Sequence, residues 1–317
     1  MSETSLPSHF TGLARLKLYF ALSRTPHGLL DMCTPAFGAL LWLGHFPSAY
    51  TILIGIITTF AGYTAVYALN DVIDYKADRE KAEMGGFSNT GNDLDSIIVR
   101  HPMAQGLLSF KEGLCWALSW ALLALLGAYI LNPVCVLIFL CGCALETFYC
   151  ILWRISPFRT IVSGAVKTTG ALAAVYAVDP HPSGIFVVCL FFMLFFWEIG
   201  GQNIPNDGFD VDEDRRFHAR TIPVVYGIKT ANVIIVAAVI LTLIMGIVLF
   251  SLSLTIDIIG FVLICISVAV GVYLLLLPAL KYYQSCEPTD AMALFNKASY
   301  YPMALLAVVL IKMIFSL

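Results

Sequence analysis

Apolar positions dominate this chain and come in long runs. From residue 26 onward, stretches of about 18 or more apolar residues recur, separated by short turn signals, which is the pattern of membrane-crossing helices. Nine spans are predicted: 26–45, 48–70, 113–131, 134–153, 160–178, 184–203, 231–252, 255–278 and 294–315. Each is close to the ~20 residues that cross a bilayer. His45-Phe46-Pro47, Asn132-Pro133 and Asp179-Pro180-His181-Pro182 punctuate the series. The expected fold class is an all-α integral membrane protein, nine helices in one bundle. Residues 1–317 are read as a single membrane domain because no long polar block interrupts the spans.

The cations test this count. Lys and Arg cluster before span 1 (Arg15, Lys17, Arg24) and after span 2 (Lys76, Arg79, Lys81, Arg100, Lys111). They recur after span 4 (Arg154, Arg159), span 6 (Arg215, Arg216, Arg220, Lys229) and span 8 (Lys281, Lys297). The connections after spans 1, 3, 5 and 7 hold none, so the positive-inside rule puts the N-terminus and every even-span loop in the cytoplasm. With nine spans, the C-terminus lies outside; in a bacterium the membrane would be the inner one. Composition agrees: 59% of the 317 residues are hydrophobic and 12% charged, against ~25% charged in soluble domains. The first 26 residues lack an apolar core followed by a cleavage site, so no signal peptide is expected. The nine cysteines form no CxxC pair and read as small apolar residues, without a disulfide or a zinc site.

Two long polar connections, 71–112 and 204–230, fall on the cytoplasmic side. The first contains a Gly/Asn-rich stretch, 85–93, read as mobile, with the chemistry around it. Each connection opens on the same pattern. Asn70-Asp71-Val72-Ile73-Asp74-Tyr75-Lys76-Ala77-Asp78 and Asn206-Asp207-Gly208-Phe209-Asp210-Val211-Asp212-Glu213-Asp214 both read N-D-x-x-D-x-x-x-D. Helical positions i, i+3 and i+7 share a face. Asp71, Asp74 and Asp78 therefore make one acidic stripe, and Asp207, Asp210 and Asp214 another. Carboxylates so placed repel and call for a counter-charge. Mg²⁺ suits them, since it takes few carboxylates and completes its shell with water and phosphate oxygens. Two facing stripes make a metal-bridged diphosphate clamp. A calcium loop starting at Asp210 fails, because its sixth and twelfth positions are Arg215 and Thr221. Arg100, Arg159 and Arg220 follow or face the stripes and suit bidentate phosphate contacts, although the positive-inside rule already demands cations there; Lys281 is assigned to topology alone.

Charges inside the spans are costly and mark paired or functional sites. Lys167 lies one to two turns inside span 5, Glu146 inside span 4, Glu198 inside span 6 and Asp31 near the start of span 1. For the acids, contact with an acceptor and a plain structural hydrogen bond are both open. Tyr67 lies one turn before Asp71. A reacting carbon just below the metals would meet its acceptor between spans 1, 2, 4 and 5.

With these motifs the sequence resembles the UbiA-type intramembrane prenyltransferases along nearly its whole length. The first motif matches the family's N-D-x-x-D-x-x-x-D, and Asp210 with Asp214 its D-x-x-x-D. Arg220-Thr221-Ile222-Pro223-Val224-Val225-Tyr226-Gly227 is similar to K-T-x-P-V-x-x-G, and His101-Pro102-Met103-Ala104-Gln105-Gly106 to R-P-L-x-x-G, with the Arg displaced to position 100. The interval before His101 is longer than the family's usual one. The resemblance implies Mg²⁺-dependent transfer from a polyprenyl diphosphate to an electron-rich acceptor, aromatic and quinone-precursor-like, with membrane lipid around the donor tail. It implies Asp71, Asp74, Asp78, Asp207, Asp210 and Asp214 as metal ligands. Asp71, Asp74 and Lys167 are the catalytic candidates, and Asn70, Arg100, Arg159, Arg220, Glu146 and Tyr67 the substrate-binding ones. Phe191, Phe192, Phe195, Phe196 and Trp197 either shield an allylic cation or pack. The alternatives are a glycerol-phosphate lipid, chlorin or haem acceptor and, from another class, an ion-coupled transporter with intramembrane carboxylates. No nucleic-acid partner is expected.

Overall fold

The computed structural model of the chain describes residues 12–85, 99–253 and 258–315. Residues 86–93 of the Gly/Asn-rich stretch lie outside the described residues. Within them all regular structure is helical: α1 Leu13–Leu22, α2 Thr25–Asp31, α3 Cys33–Leu43, α4 Ala49–Glu83, α5 Phe110–Leu131, α6 Pro133–Ile151, α7 Arg159–Val178, α8 Gly184–Trp197, α9 Ile204–Phe209, α10 Val211–Arg216, α11 Ile222–Tyr226, α12 Ile228–Ser253, α13 Ile258–Gly271, α14 Leu277–Ser285, α15 Pro288–Ser299 and α16 Tyr301–Phe315. Among the described residues, eight continuous helical stretches are long and apolar enough to cross a membrane, and the chain is a multi-pass membrane protein.

The expected nine spans become eight plus a broken first one. Span 26–45 divides into α2 and α3. Pro35 removes an N–H and its ring crowds the carbonyl of Asp31; that carbonyl is instead satisfied by the hydroxyl of Thr34 at 2.9 Å. Proline also explains the other irregularities. A π-helical segment, Glu198–Asn203, joins α8 to α9 just before Pro205, and another, Val272–Leu276, joins α13 to α14 just before Pro278. In each, the widened turn makes room for a ring that the regular i→i−4 ladder cannot hold. Pro302 likewise accompanies the step between α15 and α16 at Tyr300.

Other helix ends follow local rules. Ser48 caps α4 by accepting from the Thr51 amide at 3.1 Å. Ser109 and Glu112 close a capping box on α5. Asn132 accepts from the Val134 amide at 3.0 Å, and its own amide reaches the Tyr176 carbonyl on α7 at 2.8 Å. The bundle has the inside-out surface of a membrane protein. Along α5, Leu118, Leu122, Leu126 and Tyr129 are exposed, whereas Ala117, Ala124 and Ala128 are buried. The largest apolar core centres on Trp197, Phe186, Leu190, Ile235, Val239 and Tyr301. A smaller one joins α1, α4 and α5 through Leu18, Leu22, Ala68 and Ala117.

The α4–α5 contact is tight enough to require glycine. A Cβ at Gly127 would stand 1.9 Å from Thr58 Oγ1. Gly127→Ala should therefore force these helices apart and destabilise by about 1–3 kcal/mol. The check is thermal unfolding in detergent: the melting temperature should fall in Gly127→Ala and recover when Thr58→Ala is added.

Candidate functional site

A cavity of about 620 Å³ occupies the bundle interior, walled chiefly by α2, α3, α4, α6 and α7 and closed at one mouth by α9, α10 and residues 99–101. Both acidic motifs reach this mouth. On α4 the first motif is continuous helix, and Asp71 and Asp78 are buried. The second triplet is not one helix as expected: α9 ends at Phe209, Asp210 sits at the junction, and α10 carries Asp214. The break re-aims the carboxylates, and Asp207, Asp210 and Asp214 all line the cavity together with Asp74 and Asp78.

Three side chains brace the mouth, two of them, Lys81 and Arg216, between the segments that carry the two motifs. Lys81, less than one turn beyond Asp78, lies 3.5 Å from Glu213 and 4.4 Å from the centre of the Trp153 ring. Arg154 pairs with Glu80 at 2.8 Å. Arg216 on α10 donates to the Met84 carbonyl at the end of α4, at 2.6 Å. Sequence reading takes Lys81 and Arg154 as topology-setting cations and Arg216 as one of the cations that follow the second stripe and suit phosphate; the contacts they make depend on the fold.

The predicted site residues divide. Asp74, Asp78, Asp207, Asp210, Asp214, Asn70, Arg100, Arg159, Glu146, Tyr67 and Lys167 all face the one cavity. Asp71 is not among its lining residues; its carboxylate lies 3.5 Å from Arg24 and 3.2 Å from His101. Arg220 is exposed and outside the lining, and its backbone amide donates to the Trp153 carbonyl at 2.8 Å. The aromatic run is packing: Phe191, Phe192, Phe195 and Phe196 stack on one another, Trp197 is buried and donates to the Ala298 carbonyl at 3.0 Å, and none lines the cavity.

Electrostatics at the mouth is governed by crowded acids. His101 bridges Asp71 and Asp78, with Nδ1 at 3.2 and 2.9 Å from their oxygens. Burial opposes its charge, but the two carboxylates outweigh burial and push its pKa up to about 9. Burial raises Asp210 to about 6, with Arg100 opposing and Glu213 and Asp214 adding to the rise. Burial likewise raises Asp214, against Lys81 and Arg159, and Thr221 donates to its carboxylate at 3.1 Å. Asp207 keeps a buried carboxylate oxygen with no hydrogen-bond partner. An oxygen-rich donor set with an orphaned buried carboxylate oxygen fits a hard divalent cation.

Deeper in the cavity a second polar layer is already paired. Lys167 Nζ lies 2.5 Å from Asp31 and 3.1 Å from the Tyr67 hydroxyl, which itself donates to Asp31. His27 lies 3.9 Å from the same carboxylate. Asn70 donates to Glu146 at 2.6 Å and Ser163 to Glu198 at 2.7 Å. Arg159 is buried with its guanidinium 4.0 Å from the Tyr149 ring centre, and Tyr149 accepts from Asn203 at 3.0 Å. Arg24, His27, Lys81, Ser163 and Asn203 belong to this lining without having been singled out for it by the sequence. Arg24 and Lys81 are masked by the positive-inside pattern. Ser163 and Asn203 carry a weak signal, as polar residues inside otherwise apolar spans.

This helical bundle, with acids and cations gathered at one mouth of an apolar cavity, defines a polytopic membrane enzyme. The chain belongs to the UbiA prenyltransferase family, which residues 32–300 match, and the transporter alternative falls with that membership. The sequence is 24% identical over 219 residues to the digeranylgeranylglyceryl phosphate synthase of Thermococcus sibiricus, covering 68% of this chain and 71% of that protein. It is 23% identical over 223 residues to the protein of the same name from Pyrococcus abyssi, covering 69% and 72%. A UbiA homologue from Aeropyrum pernix K1 shares the fold with a TM-score of 0.68 at 16% identity, over 90% of this chain and 98% of that one. A UbiA homologue from Archaeoglobus fulgidus, bound to DMAPP and Mg²⁺, does so with a TM-score of 0.62 at 16% identity, over 91% and 99%.

The Asp31–Lys167 pair makes a separable prediction. Lys167→Met strands a buried carboxylate and should cost about 3–5 kcal/mol, read as a lowered melting temperature. Asp31→Asn in the same chain should restore most of that loss. If Lys167→Met melts like the parent, the pair is not holding the deep layer together.

Proposed function

We propose that this chain transfers a polyprenyl group from its diphosphate to a hydroxyl of a glycerol-phosphate lipid. The observation that carries the proposal is one continuous cavity that joins two acid clusters and several cations at its mouth to an apolar interior. A prenyl diphosphate is graded in the same way, from polyanionic head to hydrocarbon chain. The names of the Thermococcus and Pyrococcus relatives support the glycerol-phosphate acceptor; the aromatic, quinone-precursor acceptor has no such support and gives way to it. The cation pattern supports a cytoplasmic N-terminus and mouth, with the C-terminus on the opposite side.

Asp74, Asp78, Asp207, Asp210 and Asp214 are assigned to hold Mg²⁺, which when bound neutralises charge on the departing diphosphate. Arg100, Arg159 and Lys81 point into the same mouth and are assigned to phosphate oxygens. Asp71 is assigned to hold Arg24 and His101 in place. The carbon–oxygen bond to the diphosphate breaks with its electron pair leaving on oxygen, and the acceptor hydroxyl forms the new carbon–oxygen bond. Its proton passes to a lining carboxylate, for which Glu146, steadied by Asn70, is placed one layer below the acids. Lys167, Asp31 and Tyr67 fix the floor of this polar layer, and the apolar helices exclude water from the reacting carbon.

The acceptor assignment is checked with purified protein, Mg²⁺ and labelled geranylgeranyl diphosphate, offered geranylgeranylglyceryl phosphate or 4-hydroxybenzoate. Product is expected with the lipid; product with the aromatic acid alone would overturn the acceptor, and no diphosphate release with either would overturn the reaction. Asp74→Asn and Asp210→Asn should each lower turnover by roughly 10²-fold or more while the protein still melts cooperatively. Arg159→Gln should weaken donor binding by about 1–3 kcal/mol. Lys281→Gln should leave it unchanged, because Lys281 is paired with Asp290 at 2.7 Å. Equal effects at Arg159 and Lys281 would reduce the cations to topology signals.

A further inference from the structure

Lys297 stands out of place on the outer surface of the bundle. Sequence reading counts it among the cations after span 8, but in the structure it belongs to α15, inside the helical stretch that runs from Pro288 to Ile314. The inner face of α15 is bound to the first π-helical segment and its neighbour: the Phe295 carbonyl accepts from Gln202 at 3.1 Å and the Ala298 carbonyl from Trp197 at 3.0 Å. Lys297 faces the other way. It is exposed, does not line the cavity, and holds its Nζ 4.8 Å from the centre of the Tyr273 ring. Tyr273 is itself 61% exposed and sits on the second π-helical segment.

Helix rise gives the depth of this pair. Lys297 is roughly 14 Å from the start of its helix at Pro288, and Tyr273 roughly 18 Å from the end of α14 at Ser285. The headgroup layer takes about 5–7 Å on each side of a bilayer, so the ammonium lies inside the hydrocarbon edge. A lysine that snorkels stretches toward the headgroups; this one lies on a ring set at least as deep as its own backbone. The rung above is already neutral, since Lys281 pairs with Asp290 at 2.7 Å. Among the described residues no carboxylate pairs with Lys297. A tyrosine face attracts a cation but carries no net charge, so the pair presents an uncompensated positive charge to lipid.

We infer that Lys297 and Tyr273 form a site for the phosphate of an anionic membrane phospholipid, on the outside of the bundle and separate from the substrate cavity. The inference is independent of the prenyl-transfer reading. Position selects the occupant: the neighbour of this surface is the bilayer, whose anionic groups are lipid phosphates. The lysine arm, about 6 Å when extended, swings off the ring to meet a phosphate drawn down from the headgroup layer. Such local thinning is how bilayers accommodate charge at this depth. The Tyr273 hydroxyl supplies a neutral donor beside it. Because α15 also binds the segment leading into the second acidic motif, a lipid held here steadies that segment from outside.

The test takes the full chain in a non-ionic detergent, adds phosphatidylglycerol or phosphatidylcholine, and reads native mass spectra and thermal melting. The parent should retain phosphatidylglycerol and melt at a higher temperature as that lipid is added, with phosphatidylcholine having little effect. Lys297→Gln should weaken phosphatidylglycerol binding by roughly tenfold, the scale of one charge-assisted hydrogen bond, and Lys297→Arg should keep it. Without added lipid, Lys297→Gln should melt no lower than the parent, because it removes an uncompensated charge; this separates lost binding from lost folding. Lys111→Gln removes an exposed cation at the start of α5 and should leave the lipid response intact. Equal weakening at Lys111 would reduce the effect to general surface charge and overturn the site, as would equal binding of the two lipids. A lower melting temperature of Lys297→Gln without lipid would show the ammonium already matched within the protein and would also overturn it. So would a Lys297-dependent dimer that retains no lipid, which would assign the charge to a second copy.

Discussion

The arrangement of this protein depends on one constraint: several carboxylates must be kept at the rim of a low-dielectric bundle. Burial there disfavours charge and neighbouring acids disfavour it further, as the upward shifts of Asp210 and Asp214 record. Such a cluster persists only if cations stand opposite it. The chain supplies His101 and Arg24 to Asp71, His101 to Asp78, and Lys81 to Glu213. Asp207, which keeps an unpartnered buried oxygen although Arg159 stands near it, is where an external cation fits.

The same constraint explains the departures from regular helix. An acidic residue on a straight span would point wherever its register dictates. The π-helical segment before Pro205 and the junction at Asp210 alter that register twice within a few residues, turning three carboxylates inward. Close packing stabilises the irregular segment: a Cβ at Gly200 would come within 2.9 Å of Ala238 and Ile235, and one at Gly201 within 2.9 Å of Ala298. On α4 no such device is needed, because i, i+3 and i+7 already share a face. Asp71, one layer back from the lining itself, is held by Arg24 and His101, which do line the mouth.

Beneath the rim the polar groups are paired within the protein, Lys167 to Asp31 and Asn70 to Glu146. Charges at this depth are tolerated only when so matched. The layer divides the cavity into an ionic upper part and a largely apolar lower part. The stacked Phe191–Phe196 run takes no part in this; it packs α8 into the bundle.

The sequence by itself determined the membrane class, all but one of the spans as continuous helices, the pairing of the two acidic motifs and the residues from which the mouth is built. These follow from chain-local physics: apolar length against bilayer thickness, helical periodicity, and the scarcity of charge inside spans. Tertiary structure decided the rest. It split the first span at Pro35, left Asp71 and Arg220 outside the lining, turned Lys81 and Arg216 from loop cations into ties between the two motif segments, and paired Arg154 with Glu80. It also brought Asp31 and Lys167 together across a separation of 136 residues in the chain. None of this is legible along the chain, because partners more than a hundred residues apart meet only through helix packing, and a cation that satisfies the positive-inside rule looks the same in sequence whether or not it also faces a substrate.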